Sequence, residues 1–372
     1  MASRKPASPS GQNMNSAVSR RTVLKAAGGL AAAATFVSAP FVRPSYAATT
    51  LRVSNFGGFF EQAFAKDVYP AFTKQTGIAV QSIPQSGSAQ FLVQLGQAIQ
   101  AGSAPMDVCC AGQADVIRGR QRGLWATVDK SKLKNVGNLI DGFLYEDGGK
   151  VDGVGAMAWY ITLIANPSEF EKLPDSWTEL WKPRASAWGL QGGGTSVLLD
   201  IVASVYFGGP SVLDTEAGID KVIAKIGELK PNTKLWWTDE GSMQSAYQND
   251  EVVGGMYFHD VSMIMKKEGT DVASIFPKEG AVLGYNAWCV PKVGEVSDAA
   301  IAFLDWSATP ECHELIARNV GAAPLIDKSK LNLTEDEFNA VSGTGKPIVV
   351  ASAAKVKHAD YISAQMLKML GQ

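Results

Sequence analysis

The chain has 372 residues, with 34 lysines and arginines against 36 aspartates and glutamates and a formal net charge of −2. There is no basic excess to grip a nucleic-acid backbone, which argues against nucleic acid as a partner. Its four cysteines and three histidines fall in no zinc or haem spacing, so neither a metal nor a cofactor is expected.

Residues 1–47 read as an export signal. Ser19-Arg20-Arg21-Thr22-Val23-Leu24-Lys25 sets paired arginines before an apolar stretch, Ala26 to Val37, and Ser45-Tyr46-Ala47 offers a small-x-small cleavage site. These are the parts of a bacterial secretion signal, and adjacent arginines point to the twin-arginine route. The apolar run is about a dozen residues, short of the roughly 20 that span a bilayer. A soluble periplasmic protein from Ala48 onward is expected. The segment holds six of the 34 basic residues and no acidic ones, so the mature chain carries 28 against 36.

The 325 residues that follow are enough for two domains. Leu51 to Asn55 reads as a strand, Phe56-Gly57-Gly58 as a turn, and Phe59 to Gln75 as an amphipathic helix stopped by Gly77. Ile78 to Ile83 is a second strand, Gln90 to Ala101 a helix, Asp107 to Cys110 a strand, and Ala114 to Arg122 a helix. Strands alternating with helices of this length predict an α/β fold with parallel pairing. Val154 to Asn166 is a long apolar run suited to a strand pair that crosses between domains. A second α/β unit follows: Trp177 to Trp181, Gly189 to Gly194, helices from about Thr195 to Tyr206 and Glu216 to Leu229, the helix-like Ser242 to Gln248, and a buried strand at Val253 to Phe258. Asn286 to Val290 is a strand that crosses back, and Ala299 to Ser307 and Pro310 to Asn319 are returning helices. The last 40 residues are helix-rich and hold no obvious site. In this oxidising compartment one bridge from Cys109 or Cys110 to Cys289 is conceivable; otherwise these cysteines are small buried hydrophobes.

Three elements stand in a telling order: Ser176-Trp177-Thr178-Glu179-Leu180-Trp181, Phe276-Pro277-Lys278-Glu279-Gly280, and Ala302-Phe303-Leu304-Asp305-Trp306-Ser307-Ala308-Thr309-Pro310-Glu311. In this order and spacing the chain resembles the extracellular solute-binding proteins of ABC importers, in particular the spermidine/putrescine-binding group. The resemblance implies a two-lobed, type II periplasmic-binding-protein-like fold with two crossover hinges and the ligand in the cleft between lobes. Lobe 1 is expected over 48–157 and 285–330 and lobe 2 over 158–284, with residues 331–372 a helical segment packed on both. It also implies a monomer that catalyses no reaction and hands a small solute to an inner-membrane permease and its ATPase.

Ligand residues are expected where strands end at the cleft. After the first strand these are Phe56, Gly57 and Gly58; after the third, Gln113, with Asp115 beyond it as a helix-capping acid. Trp159 lies in the first crossover. Gly193 and Thr195 belong to a glycine run before a helix, where exposed N–H groups suit an anion. Trp237 and Asp239 form the densest aromatic–acid cluster, suited to an organic cation. By the resemblance, Phe258 and Asp260 fall where the group places ligand contacts, and Gly284, Tyr285 and Asn286 stand where polyamine binders carry a Trp-x-Asp pair. The solute is then a small polar nitrogen compound, polyamine-like or amino-acid-like.

Two other classes compete with this reading. A cofactor-dependent periplasmic enzyme lacks a Gly-x-Gly-x-x-Gly after a strand and a Gly-x-Ser-x-Gly elbow. Ferric-iron binding on the same architecture would draw on Tyr285 and His259.

Overall fold

The computed structural model describes residues 50–57, 59–85, 89–343 and 345–371. The expected export signal and Gly58 lie outside them. The chain opens with β1 (Thr50–Phe56), then a continuous helical stretch of α1 (Phe59–Ala63), a π turn at Phe64–Val68 and α2 (Tyr69–Thr76). Gly77, at φ 76°, ends this stretch in the left-handed conformation that glycine adopts without steric cost. Next come β2 (Ala79–Gln85), α3 (Ala89–Gln100), β3 (Val108–Gly112) and α4 (Gln113–Gln121). Two short strands, β4 (Val128–Asp129) and β5 (Leu144–Asp147), pair antiparallel with the start of β6 (Lys150–Ala165).

The second half of the sheet is built from β7 (Trp188–Gln191), α5 (Leu198–Tyr206), α6 (Glu216–Gly227), β8 (Thr233–Trp237), α7 (Glu240–Gln248), β9 (Gly254–Phe258), α8 (His259–Lys267) and β10 (Ala273–Ile275). The chain returns through β11 (Val282–Cys289), α9 (Asp298–Ser307), α10 (Pro310–Leu315) and α11 (Glu335–Asn339). It finishes with β12 (Ile348–Val349), α12 (Ser352–Lys357) and α13 (Ala359–Gly371).

Along the main path the strand order is β2-β1-β3-β11-β6-β9-β7-β8. Two parallel groups, β2-β1-β3 and β9-β7-β8, are joined by β11 and β6, which run antiparallel to each other and to their outer neighbours. Each group therefore points its strand C-termini inward, toward the joining pair. The cores divide at the same place. Ala158 and Leu283 belong to one apolar cluster, whereas Ile161 and Val282 belong to another. Both crossovers read from the sequence are thus present, the first as the single strand β6 rather than a pair and the second as β11, and they change lobes side by side.

The C-terminal segment splits between the two cores. Leu331, Leu333 and Val341 pack into the first, while Ile348, Ala354, Ile362, Met366 and Met369 pack into the second. Fully burying a leucine, isoleucine, valine or methionine side chain contributes about 1.5–3 kcal/mol. The four cysteines are free and buried; Cys109 and Cys289 are register partners across β3 and β11, with no bridge formed.

The motifs that carried the resemblance turn out to hold the scaffold. The Glu279 carboxylate accepts from the Ser176 hydroxyl at 2.5 Å and the Trp177 N–H at 3.1 Å. The Trp177 indole donates to the Gly280 carbonyl at 2.7 Å. Asp305 likewise takes both the backbone and side-chain N–H of Asn135, at 2.7 and 2.9 Å. Phe303 and Trp306 sit in the first core.

Candidate functional site

Two adjoining cavities open where the strand ends meet the β6–β11 pair. The larger, about 610 Å³, is lined by Phe56, Gly57, Phe60, Gln85, Trp159, Glu240, Phe258, Asp260, Val261 and Asn286. The smaller, about 240 Å³, shares Trp159 and Asn286 and continues past Gln113, Arg118, Thr195 and Tyr285 to the C-terminal segment.

The larger cavity is an aromatic enclosure with acids at one side. Phe56 closes β1 and Phe258 closes β9, so each ring stands at the C-terminal end of a parallel strand. Trp159 lies mid-way along β6 and meets Phe258 edge-on, ring centres 5.6 Å apart. Its indole has room because the residue opposite it in β11 is Gly284. A Cβ there would fall 1.9 Å from the Trp159 ring. Two positions further on, the β6–β11 register shifts between Asn286 and Ala287. Such a bulge re-aims the neighbouring side chain, and Asn286 lines both cavities. Gln85 is held in place from two sides, taking the Ser54 hydroxyl at 2.6 Å and donating to the Cys110 carbonyl at 2.5 Å.

Asp260 is the second residue of α8, and its Oδ1 is buried without a hydrogen-bond partner. Burial pushes its carboxyl up to about 7; backbone N–H groups of Val261 and of Asp260 itself oppose the rise, and the charge of Glu240 adds to it. Glu240, at the start of α7, is raised as well, first by burial and then by neighbouring Asp239. An ionised Asp260 lacks a compensating charge here, since no lysine or arginine lines this cavity.

Nine of the residues read from the sequence line the two cavities: Phe56, Gly57, Gln113, Trp159, Thr195, Phe258, Asp260, Tyr285 and Asn286. Three do not, each for a local reason. Trp237 is 2% exposed and packs into the second core against Tyr257 and Phe258. Asp239 is exposed and caps α7, accepting the Ser242 N–H at 2.9 Å. Gly193, at φ 80°, makes the turn between β7 and α5. The N–H groups of Val197 and Leu198 at the start of α5 are taken by Gln191 and Ser196, which leaves fewer of them for an anion than the glycine run suggested.

Sequence reasoning passed over Phe60, Gln85, Glu240, Arg118, Ser352, Lys355 and Ser363. Phe60 carries a readable signal, standing on the first helix four residues beyond Phe56. The C-terminal residues carry none, because only the return of the chain brings them to the cleft. His259 and Asp260 also open a helix rather than lie on a strand. The His259 ring turns into the structure between Ser274 and Ala340, at 2.9 and 2.7 Å. A carbonyl only accepts, so Nε2 carries the proton toward Ala340. Burial lowers this histidine from its usual range and keeps it neutral. The Tyr285 hydroxyl donates to the Gly142 carbonyl at 3.2 Å, so the two residues suggested for iron do not converge. Among the described residues no three histidine, cysteine or acidic side chains gather in a way that would hold a metal ion.

Residues 67–340 match the family model described as bacterial extracellular solute-binding protein. The chain belongs to this family. Relatives of this solute-binding protein include a gamma-aminobutyric acid-binding protein of Pseudomonas aeruginosa, 22% identical over 285 residues, covering 74% of this chain and 77% of the relative. A spermidine/putrescine-binding periplasmic protein of Escherichia coli is 23% identical over 261 residues, covering 67% and 71%. In fold, this solute-binding protein is similar to an ABC transporter substrate-binding protein from Bradyrhizobium japonicum, with a TM-score of 0.73 and 17% identity over 87% of this chain and 99% of that one. It is also similar to a spermidine/putrescine ABC transporter substrate-binding protein from Streptococcus pneumoniae, with a TM-score of 0.70 and 20% identity over 87% and 99%.

Proposed function

We propose that this protein is the periplasmic solute-binding component of an ABC importer and that its solute bears a protonated amine. One observation carries the amine: a buried, unpartnered carboxylate oxygen of Asp260 in a cavity walled by Phe56, Phe60, Trp159 and Phe258. An ammonium there supplies the missing counter-charge, and an aromatic face adds about 0.5–2 kcal/mol. The names of the relatives, which bind gamma-aminobutyric acid or polyamines, agree with an amine. Capture needs no chemistry. The two lobes swing about the strand pair near Trp159 and Gly284, enclose the solute, and present the closed form to the permease and its ATPase. Export by the paired-arginine signal and a monomeric state belong to the same reading.

The test is a thermal-shift screen against polyamines, ω-amino acids and opines, followed by calorimetry. At 100-fold over Kd a solute stabilises by about 2.7 kcal/mol. Asp260→Asn weakens the amine found by this screen tenfold or more. Undiminished affinity in that variant, with the fold intact, would remove Asp260 from the site. A screen in which only amine-free solutes bind overturns the amine.

A further inference from the structure

We propose that the C-terminal segment 350–363 and α4 together form a subsite for an anionic group, so that the solute is a zwitterion with its amine at Asp260 and its acid at the opposite end. This rests on the amine reading of the larger cavity. The two cavities adjoin at Trp159 and Asn286, which line both, and their charges are sorted by cavity. Asp260 and Glu240 line the larger cavity and no base does. Arg118 and Lys355 line the smaller and no acid does.

Both cations have acidic partners, set behind them rather than in the cavity. Lys355 is anchored to Asp200 at 2.8 Å and to the Ser196 carbonyl at 3.1 Å. Asp200 also takes the Ala351 N–H at 2.7 Å, which fixes the segment against α5. Arg118 gives one long bond to Asp115, 3.3 Å, out of five guanidinium donors. Its remaining donors make no hydrogen bond to the described residues, and Arg118 lines the cavity together with Thr195, Ser352 and Ser363. Gly194 brings the backbone hard against α13: a Cβ on it would lie 2.2 Å from the Ser363 hydroxyl. This wall is donor-rich and matches a carboxylate. A second ammonium would meet two cations and no cavity-lining acid, so a linear diamine is the wrong solute.

The segment that supplies Ser352, Lys355 and Ser363 lies beyond the residues that match the family model, 67–340. Arg118 and Thr195 of the same cavity lie within them.

The experiment is calorimetry on the full chain with two matched series. One series is 4-aminobutyrate and 6-aminohexanoate; the other is putrescine and 1,6-diaminohexane. At equal length the amino acid binds at least tenfold more tightly than the diamine. Arg118→Gln removes that advantage and leaves diamine affinity within twofold, while Arg118→Lys retains part of it. An unchanged melting temperature shows that the variants are folded. Diamines binding as tightly as the amino acids, or Arg118→Gln weakening both series alike, overturns the anion subsite and leaves the amine reading standing. Binding of neither series overturns both.

Discussion

Asp260 shows how one residue ties ligand to pH. Its carboxyl is raised to about 7, first by burial, against a usual value of about 3.9. Between those values the solute-free folded chain holds a proton that the unfolded chain has lost. Raising the pH across that window therefore lowers the stability of the empty protein. Denaturation of the solute-free chain from pH 4.5 to 8 is expected to show this decline, and Asp260→Asn to flatten it. The same carboxyl was named from the sequence through the family resemblance, which places ligand contacts at Phe258 and Asp260. Trp237 was misleading for a reason the sequence hides. Two adjacent tryptophans on a strand face opposite ways, and only the packing decides that Trp237 is the inward one.

Among the elements, the β6–β11 pair does the most to shape the cleft. The Trp159 indole lies over Gly284, so the aromatic wall comes from one strand and the space for it from the other. Gly284→Ala is expected to push the indole out of place, at about 1–3 kcal/mol as for other overpacked sites. Tryptophan fluorescence and amine affinity should both change; a variant with native affinity and spectrum would show that the ring has slack. Helix and strand periodicity announced most of the other elements, since 3.6-residue and two-residue patterns are local. α8 follows β9 directly, with Phe258 at its N-cap and no side-chain cap to mark the change. The motifs at Ser176–Trp181 and Phe276–Gly280 were visible, but their mutual bonding through Glu279 joins residues about a hundred positions apart.

At the scale of the molecule, the C-terminal return matters more than its sequence suggests. Ile348, Ala354, Ile362, Met366 and Met369 complete the second core. A chain ending at Gly345 loses all five, the isoleucines and methionines each worth about 1.5–3 kcal/mol when fully buried. Such a truncation is expected to unfold the second lobe; calorimetric melting would show the loss of its transition, and a native transition would refute the dependence. The sequence by itself determined the α/β class, the two crossings, the family and most strand-end residues of the cleft, because each rests on local pattern or a recognisable motif. Only the tertiary structure decided that Trp237 is core, that Gly284 makes room for Trp159, and that Arg118 and Lys355 line a cavity adjoining the one that holds Asp260. Those facts depend on which distant segments touch, and contact between distant segments is set by packing the whole chain at once.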